Sequence, residues 1–436
     1  MTVTARLLRG FATVGALAAG VKVVSLAKEL LVASSFGRAG ELDAFLLALV
    51  LPTTVAGIVG GAFHQATVPL YARWRSEGGG PRAEAAMGAA FGLGLSAAAG
   101  AAFLLAVAGG PLIGTFAAGF DAGKLAVTAS MALALAPLAL LAAWSSMAAA
   151  PLHAVERYGA VSLVPVFTPL ATIAALSAFG PSGGWPLVAG AVSGAALEGA
   201  VLAAVLRSQG LPWRPSLRGF SDPELRSVVA QAAPAMGGML LHTATGIVDQ
   251  VMASRLEAGS VAALGYASRL VSAPLGLATL ALGTASFAVL SSLRAAEGAE
   301  RFGRVVRRLV ARVALLTTAG AAVLAAAAPW IVRALYERGR FQSADTELVA
   351  SLVRILAFMV PPFVVGVLGV KVLAAAGRNR SIVPIAAVNL AASVGLNLTL
   401  VHFLGIRGIA VANVAVYSLS CAQIWWAVFR GLREDR

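Results

Sequence analysis

The chain has 436 residues, of which 59% are hydrophobic and only 12% charged, about half the charged share of a soluble domain. With a mean hydropathy of +0.86 and 47 glycines, this excludes a soluble enzyme and indicates a polytopic helical membrane protein, because small residues let lipid-embedded helices approach closely. The formal net charge of +14 is spread over short loops between apolar runs, so it is topological and no nucleic-acid partner is expected.

A bilayer core of about 30 Å takes about 20 apolar residues per helix. Twelve spans are predicted in chain order, at roughly 11–36, 43–71, 84–109, 126–148, 159–179, 185–206, 228–250, 262–292, 309–331, 350–375, 381–403 and 408–429. Arg6 and Arg9 before the first apolar run imitate a signal peptide, but Lys22 interrupts the run and no clear cleavage motif follows, so it is read as a span. With a cytoplasmic N-terminus, 21 of the 33 Lys and Arg fall on the cytoplasmic side and 7 on the other, and five (Lys22, Lys28, Arg269, Arg354 and Lys371) lie within spans. That bias is the positive-inside rule repeated loop after loop and predicts that both termini are cytoplasmic.

Within helix 1, Lys22, Ser25, Lys28 and Glu29 occupy about a third of the circumference at 100° per residue, opposite Val23, Leu26, Ala27, Leu30 and Leu31. Intramembrane charges cost roughly 2.5–3.5 kcal/mol each on insertion scales, so such an arc is expected to face a cavity or a partner. The plainer alternative is that Lys28 pairs with Glu29 or Asp249 and holds helices together. Arg269, in helix 8, is too central to snorkel easily. The basic excess suits an anionic substrate such as a pyrophosphate, since Coulomb attraction strengthens as the dielectric falls.

Near helix 7 and on helix 11, Asp249, Asn389, Ser393 and Asn397 form a possible ion site with oxygen ligands, the last three at i, i+4 and i+8; hydrogen bonding between helices is the competing role for the asparagines. Other chemistry is sparse. Gly123-Lys124 is followed by Leu125 and lacks the hydroxyl residue of a phosphate-binding loop. His64, His153, His242 and His402 show no ligand spacing and are read as packing or interfacial residues. The single Cys421 excludes an intramolecular disulfide. No catalytic residue, metal or cofactor is expected, and the external stretch around 330–349 is too short for a catalytic domain.

The two halves resemble each other. ELLVASSFGRAG (Glu29 to Gly40) is echoed by DQVMASRLEAG (Asp249 to Gly259), and SLVP (Ser162 to Pro165) by SIVP (Ser381 to Pro384), at offsets of about 220 residues. Six spans per half predict an all-α polytopic fold of two parallel six-helix lobes, 1–220 and 221–436, around a central cavity, an arrangement typical of alternating-access transporters.

The run FGRAGELDAFLLALVLP followed by GAFHQATVPLYARW resembles the start of the MurJ (MviN) lipid II flippases, within the superfamily of multidrug and oligosaccharidyl-lipid exporters. ASRLEAGSVAALGYASRLVSAPLGLATLALGT and ALYERGRF followed by Asp345-Thr346 are similar to two later blocks of that family, so the likeness covers most of the chain. It implies that Lys22 and Lys28 stand where the family has first-helix arginines, that Asp43 is the aspartate of its DAF motif, and that Arg269 is its helix 8 arginine, all lining the cavity that engages the substrate's pyrophosphate. Lysines keep the charge but lose the bidentate fork, the helix 2 arginine is replaced around Ala56, and the family usually has fourteen helices where twelve are legible here, as in O-antigen-type flippases.

The resemblance implies a flippase for a polyprenyl-pyrophosphate-linked glycan of the peptidoglycan precursor class, with membrane lipids and the lipid-linked glycan as partners and a cell-wall or polysaccharide polymerase as a candidate protein partner. Na+ or the membrane potential is the expected energy source. The rivals are an O-antigen or exopolysaccharide-type flippase, a drug/sodium antiporter, which predicts acids rather than lysines facing the cavity, and a polytopic glycan ligase, which needs a catalytic cluster in a large external loop.

Overall fold

The computed structural model describes residues 3–78, 80–217, 223–375 and 382–434. Thirteen helices fill those segments: α1 (Val3–Phe36), α2 (Gly40–Gly78), α3 (Gly80–Phe116), α4 (Ala122–Ala154), α5 (Tyr158–Leu163), α6 (Phe167–Phe179), α7 (Trp185–Ser208), α8 (Pro223–Ser254), α9 (Ser260–Tyr336), α10 (Ser343–Leu356), α11 (Val360–Ala375), α12 (Ile382–Leu404) and α13 (Ile406–Glu434). All twelve predicted spans fall on helix, two of them divided by a 3-10 turn. Among the described residues nine helical stretches are long and apolar enough to cross a bilayer, and the protein is an all-helical, multi-pass membrane protein. His242, whose side chain is outside the described residues, and Ser381 are not placed.

The first 3-10 turn, Val164–Val166, contains the proline of SLVP and joins α5 to α6. The second, Ala357–Met359, joins α10 to α11 just before Pro361 and Pro362, where two successive N–H donors are missing from the helical ladder. Residues 293–308, predicted as a loop, are helical instead and fuse spans 8 and 9 into α9. Val306 is buried, and with Leu309, Val310 and Val313 it packs in the cluster that holds Val365, Leu368, Ile424 and Val428 of α11 and α13. That 3–4 spacing is a helical stripe, hidden in the sequence by Arg304, Arg307, Arg308 and Arg312 on the intervening positions.

By proximity the chain divides into two compact units, Met1–Leu240 and Leu241–Arg436, the division falling within α8. In the first, Leu225, Val228 and Ala232 of α8 join the apolar cluster of α2, α3 and α4. Glycines set the helix spacing there: a Cβ on Gly60 would stand 2.8 Å from the Cα of Ala143, and one on Gly190 2.5 Å from the Cα of Thr172. Gly190 and Gly194 are one turn apart on α7 and face Thr172 and Thr168 of α6, the small-xxx-small packing of membrane helices. Asp121 caps α4, accepting the N–H of Lys124 at 3.0 Å, and that bond holds its carboxyl below the usual range.

In the second unit α9 packs against α10 and α11, and α13 against α11 and α12. Tyr266, Tyr336 and Phe341 form a fully buried aromatic triad with centroids 5.0–5.7 Å apart. The turn between α9 and α10 is held by Thr346, which donates to Glu337 at 2.7 Å, and by a reciprocal cap between Gln342 and Asp345.

Candidate functional site

Part of the polar arc of α1, Ser25, Lys28 and Glu29, lies on the shielded side of the helix. Val21, Val32, Ala33 and Phe36 are buried, whereas Val23 is 67% and Leu26 41% exposed. At 100° per residue, Ser25, Lys28 and Glu29 lie among the buried positions and Val23 and Leu26 on the outer side. α1 meets α5, the 3-10 turn and α6. Lys28 Nζ lies 2.5 Å from Glu29 Oε1, both side chains being largely shielded, while Lys22 is exposed. Ser25 Oγ donates to the Val21 carbonyl at 2.9 Å, a local bond that leaves the hydroxyl free to accept. The neighbouring Lys28–Glu29 pair corresponds to the plainer alternative for Lys28.

Asp43 sits in the first turn of α2 and is 1% exposed. Its Oδ2 accepts from Lys124 Nζ of α4 at 3.0 Å, and the same ammonium stands 3.8 Å from the Phe120 ring centroid, a cation–π contact. Asp43 is thus engaged with a base that the sequence reading placed in a loop and left without a role. The signal available was the pairing of an in-span acid with a lone lysine at a helix start. Arg269 is half-buried on α9 of the second unit.

Of the residues singled out for an ion site, Asp249, Asn397 and Ser393 are joined by hydrogen bonds. Asp249 of α8 is 9% exposed. Its Oδ1 accepts from Asn397 Nδ2 at 3.1 Å, and its Oδ2 accepts from Asn413 Nδ2 of α13 at 2.8 Å. Asn397 Nδ2 also donates to the Ser393 carbonyl at 2.9 Å and lies 3.4 Å from Ser393 Oγ. The carbonyl oxygens of Asn389 and Asn397 are buried without a hydrogen-bond partner, which in a low-dielectric setting is costly unless something positive fills the gap. No base is in ion-pair distance of Asp249 among the described residues. The periodicity of α12 found three of these residues; Asn413, one asparagine in the apolar run of α13, was missed because nothing repeats around it.

Two further polar groups lie inside the spans of the first unit. Glu198, in the middle of α7, accepts from the Thr168 hydroxyl at 2.6 Å and the Thr168 N–H at 3.2 Å, so its carboxylate caps the start of α6. His64 and His153 are not scattered: His153 Nδ1 is 3.1 Å from His64 Nε2, and His64 Nδ1 2.8 Å from the Ser146 carbonyl. Because a carbonyl only accepts, His64 carries its proton on Nδ1 and receives the proton of His153 on Nε2.

A family profile described as "Lipid II flippase MurJ" matches residues 32–434. The chain is 27% identical over 440 residues to a probable lipid II flippase MurJ of Rhizobium tropici, covering 97% of this chain and 81% of the relative. To its counterpart in Rhizobium meliloti (strain 1021) it is 28% identical, covering 94% and 78%. Among solved structures, a lipid II flippase MurJ in an inward closed conformation superposes with a TM-score of 0.79 at 17% identity, over 97% of this chain and 89% of that one. An inward-facing multidrug resistance MATE family transporter gives the same score at 14% identity, over 95% and 96%. The fold is therefore common to flippase and drug exporter, and it is the sequence profile that separates them. With the match running through almost every helix, the chain belongs to the MurJ lipid II flippase family.

Proposed function

We propose that the chain moves a polyprenyl-pyrophosphate-linked glycan of the lipid II class across the bacterial inner membrane by alternating access, supplying exported precursor for peptidoglycan synthesis. The observation that carries this reading is α1, where Ser25 and Lys28 lie on the shielded side while Val23 and Leu26 are exposed. A charge held inside a membrane helix serves something other than lipid, and a pyrophosphate is the kind of group that intramembrane cations such as Lys28, and separately Arg269, would neutralise. The reaction is a relocation in which no covalent bond is made or broken, so the side chains act by binding and orienting, and the chain is a carrier rather than an enzyme. An O-antigen-type glycan carries the same pyrophosphate and differs only in its sugars. A polymerase that consumes the exported glycan is the natural protein partner, and both termini are cytoplasmic.

Ion coupling is part of the same proposal. Asp249, Ser393 and the orphaned carbonyl oxygens of Asn389 and Asn397 are hard oxygen donors of the kind that hold a small cation such as Na+. When bound there, the ion would supply positive charge to an otherwise unneutralised carboxylate.

The test is complementation of a strain depleted of its own lipid II flippase. Lys28→Ala and Arg269→Ala are expected to lose export while the protein still accumulates in the membrane, and Lys28→Arg to keep it. Normal export by an abundant Lys28→Ala/Arg269→Ala double variant overturns the anionic-substrate reading. Labelling of a cysteine at Ser76, in a Cys421→Ala background, by an impermeant reagent in intact cells overturns the orientation.

A further inference from the structure

We infer that a cleft at one end of α7 is a binding site for a phospholipid headgroup that carries both a phosphate and a primary ammonium, the phosphatidylethanolamine class. The cleft has a volume of about 350 Å³ and is lined by Glu84 of α3, Arg207 of α7 and the strap Gly210–Arg214 that follows. It belongs to the first unit alone, and none of its residues has a part in the transport reading.

The strap is rigid by construction. Gly210 has a φ of +64°, Leu211 N–H donates to the Leu206 carbonyl at 2.9 Å and Gly210 N–H to that of Arg207 at 3.2 Å. Together these make the paired 6→1 and 5→2 bonds that close a helix on a left-handed glycine. Leu211 and Leu206 are packed in one buried cluster. Two prolines, Pro212 and Pro215, restrict the backbone further. At its far end Ser216 N–H donates to the Gly88 carbonyl at 2.8 Å, and the Ser216 carbonyl lies where a Cβ on Gly92 would have to be. The strap is thus bolted to α3 at two successive turns, so the cleft is preformed.

Its charges are set out for a ligand with two poles. The guanidinium carbons of Arg214 and Arg207 stand 4.7 and 5.8 Å from the centroid of the Trp213 ring, so two like charges are gathered on one indole. Among the described residues neither arginine has a carboxylate in ion-pair distance, although Glu84 lines the same cleft. Arginines and acid therefore face a common space without satisfying each other. A phosphate diester fits the first, since guanidinium donors match phosphate oxygens; an ammonium fits the second. α7 enters the cleft at its end and α3 at its beginning, and both are long and apolar enough to span a bilayer, so the site lies at the headgroup level, where tryptophan and arginine concentrate.

Native mass spectrometry of the full chain in detergent, titrated with palmitoyl-oleoyl phosphatidylethanolamine, phosphatidylcholine and phosphatidylglycerol, reads this without any transport assay. Wild type is expected to retain the ethanolamine lipid roughly tenfold better than the choline lipid, whose quaternary ammonium cannot donate to Glu84. Glu84→Gln removes that preference but keeps phosphatidylglycerol binding; Arg207→Gln/Arg214→Gln weakens retention of all three; Arg207→Lys/Arg214→Lys, which preserves the charge, restores it. Undiminished retention in the Gln double variant, or an unchanged lipid preference in Glu84→Gln, overturns the assignment. Displacement of the lipid by soluble O-phosphoethanolamine at comparable concentration would make the ligand a soluble phosphate and overturn it equally.

Discussion

Each unit buries a carboxylate inside its helix bundle, and the two are treated in opposite ways. Asp43 in the first unit meets the ammonium of Lys124 at 3.0 Å. Among the described residues, Asp249 in the second meets only amide N–H donors, from Asn397 and Asn413. An ion pair is complete in itself and its value is structural; a carboxylate ringed by dipoles has no counter-charge of its own and keeps the capacity to take up a cation. The contrast teaches that an acid inside a membrane helix is informative only once its partners are known, because the same residue type can be a rivet or a receptor.

The contrast breaks most visibly through Lys124. Lys124→Met removes the ammonium from a nearly inaccessible carboxylate, and removing one partner of a buried pair costs about 3–5 kcal/mol. Membrane abundance and thermal stability in detergent are expected to fall sharply, and Lys124→Met/Asp43→Asn to recover most of the loss. If the single variant is as stable as wild type, the pair is no rivet.

Asp249→Asn probes the other side. The amide keeps the size of the carboxylate and removes the charge, so the protein is expected to accumulate normally. Transport into vesicles should lose its dependence on a sodium gradient or on membrane potential, by roughly tenfold, within the range of typical coupling free energies. A variant that responds to both gradients as wild type does would place Asp249 with Asp43 as a structural group.

Glu198 tests an intermediate case, an acid satisfied by a hydroxyl and a backbone N–H rather than by a base. Thr168→Val deletes the hydroxyl donor while the N–H bond remains, and the expected loss is about 1 kcal/mol, read as a small drop in detergent melting temperature with transport intact. A loss as large as that of Lys124→Met would mean the carboxylate depends on the hydroxyl far more than this hydrogen bonding implies.

The sequence by itself determined the architecture: apolar runs of about 20 residues must be helices in lipid, because no water is present to satisfy an open backbone. It also located the polar arc of α1 and the stripe on α12, since helical periodicity is a property of one segment read alone. It failed where two segments were needed. Lys124 read as a loop residue, and Asn413, Glu198, His64 and His153 each as a single polar residue in an apolar run, yet their meaning lies in a partner 30 to 164 residues away. The helical fusion within α9 was hidden for a related reason: arginines gave residues 293–308 the composition of a loop, and only the presence of α11 and α13 gave Val306 something to be buried against. Local free energies are written in local sequence; which acid finds a lysine and which finds only amides was decided by helix packing, because burial and pairing exist only once distant segments share one interior.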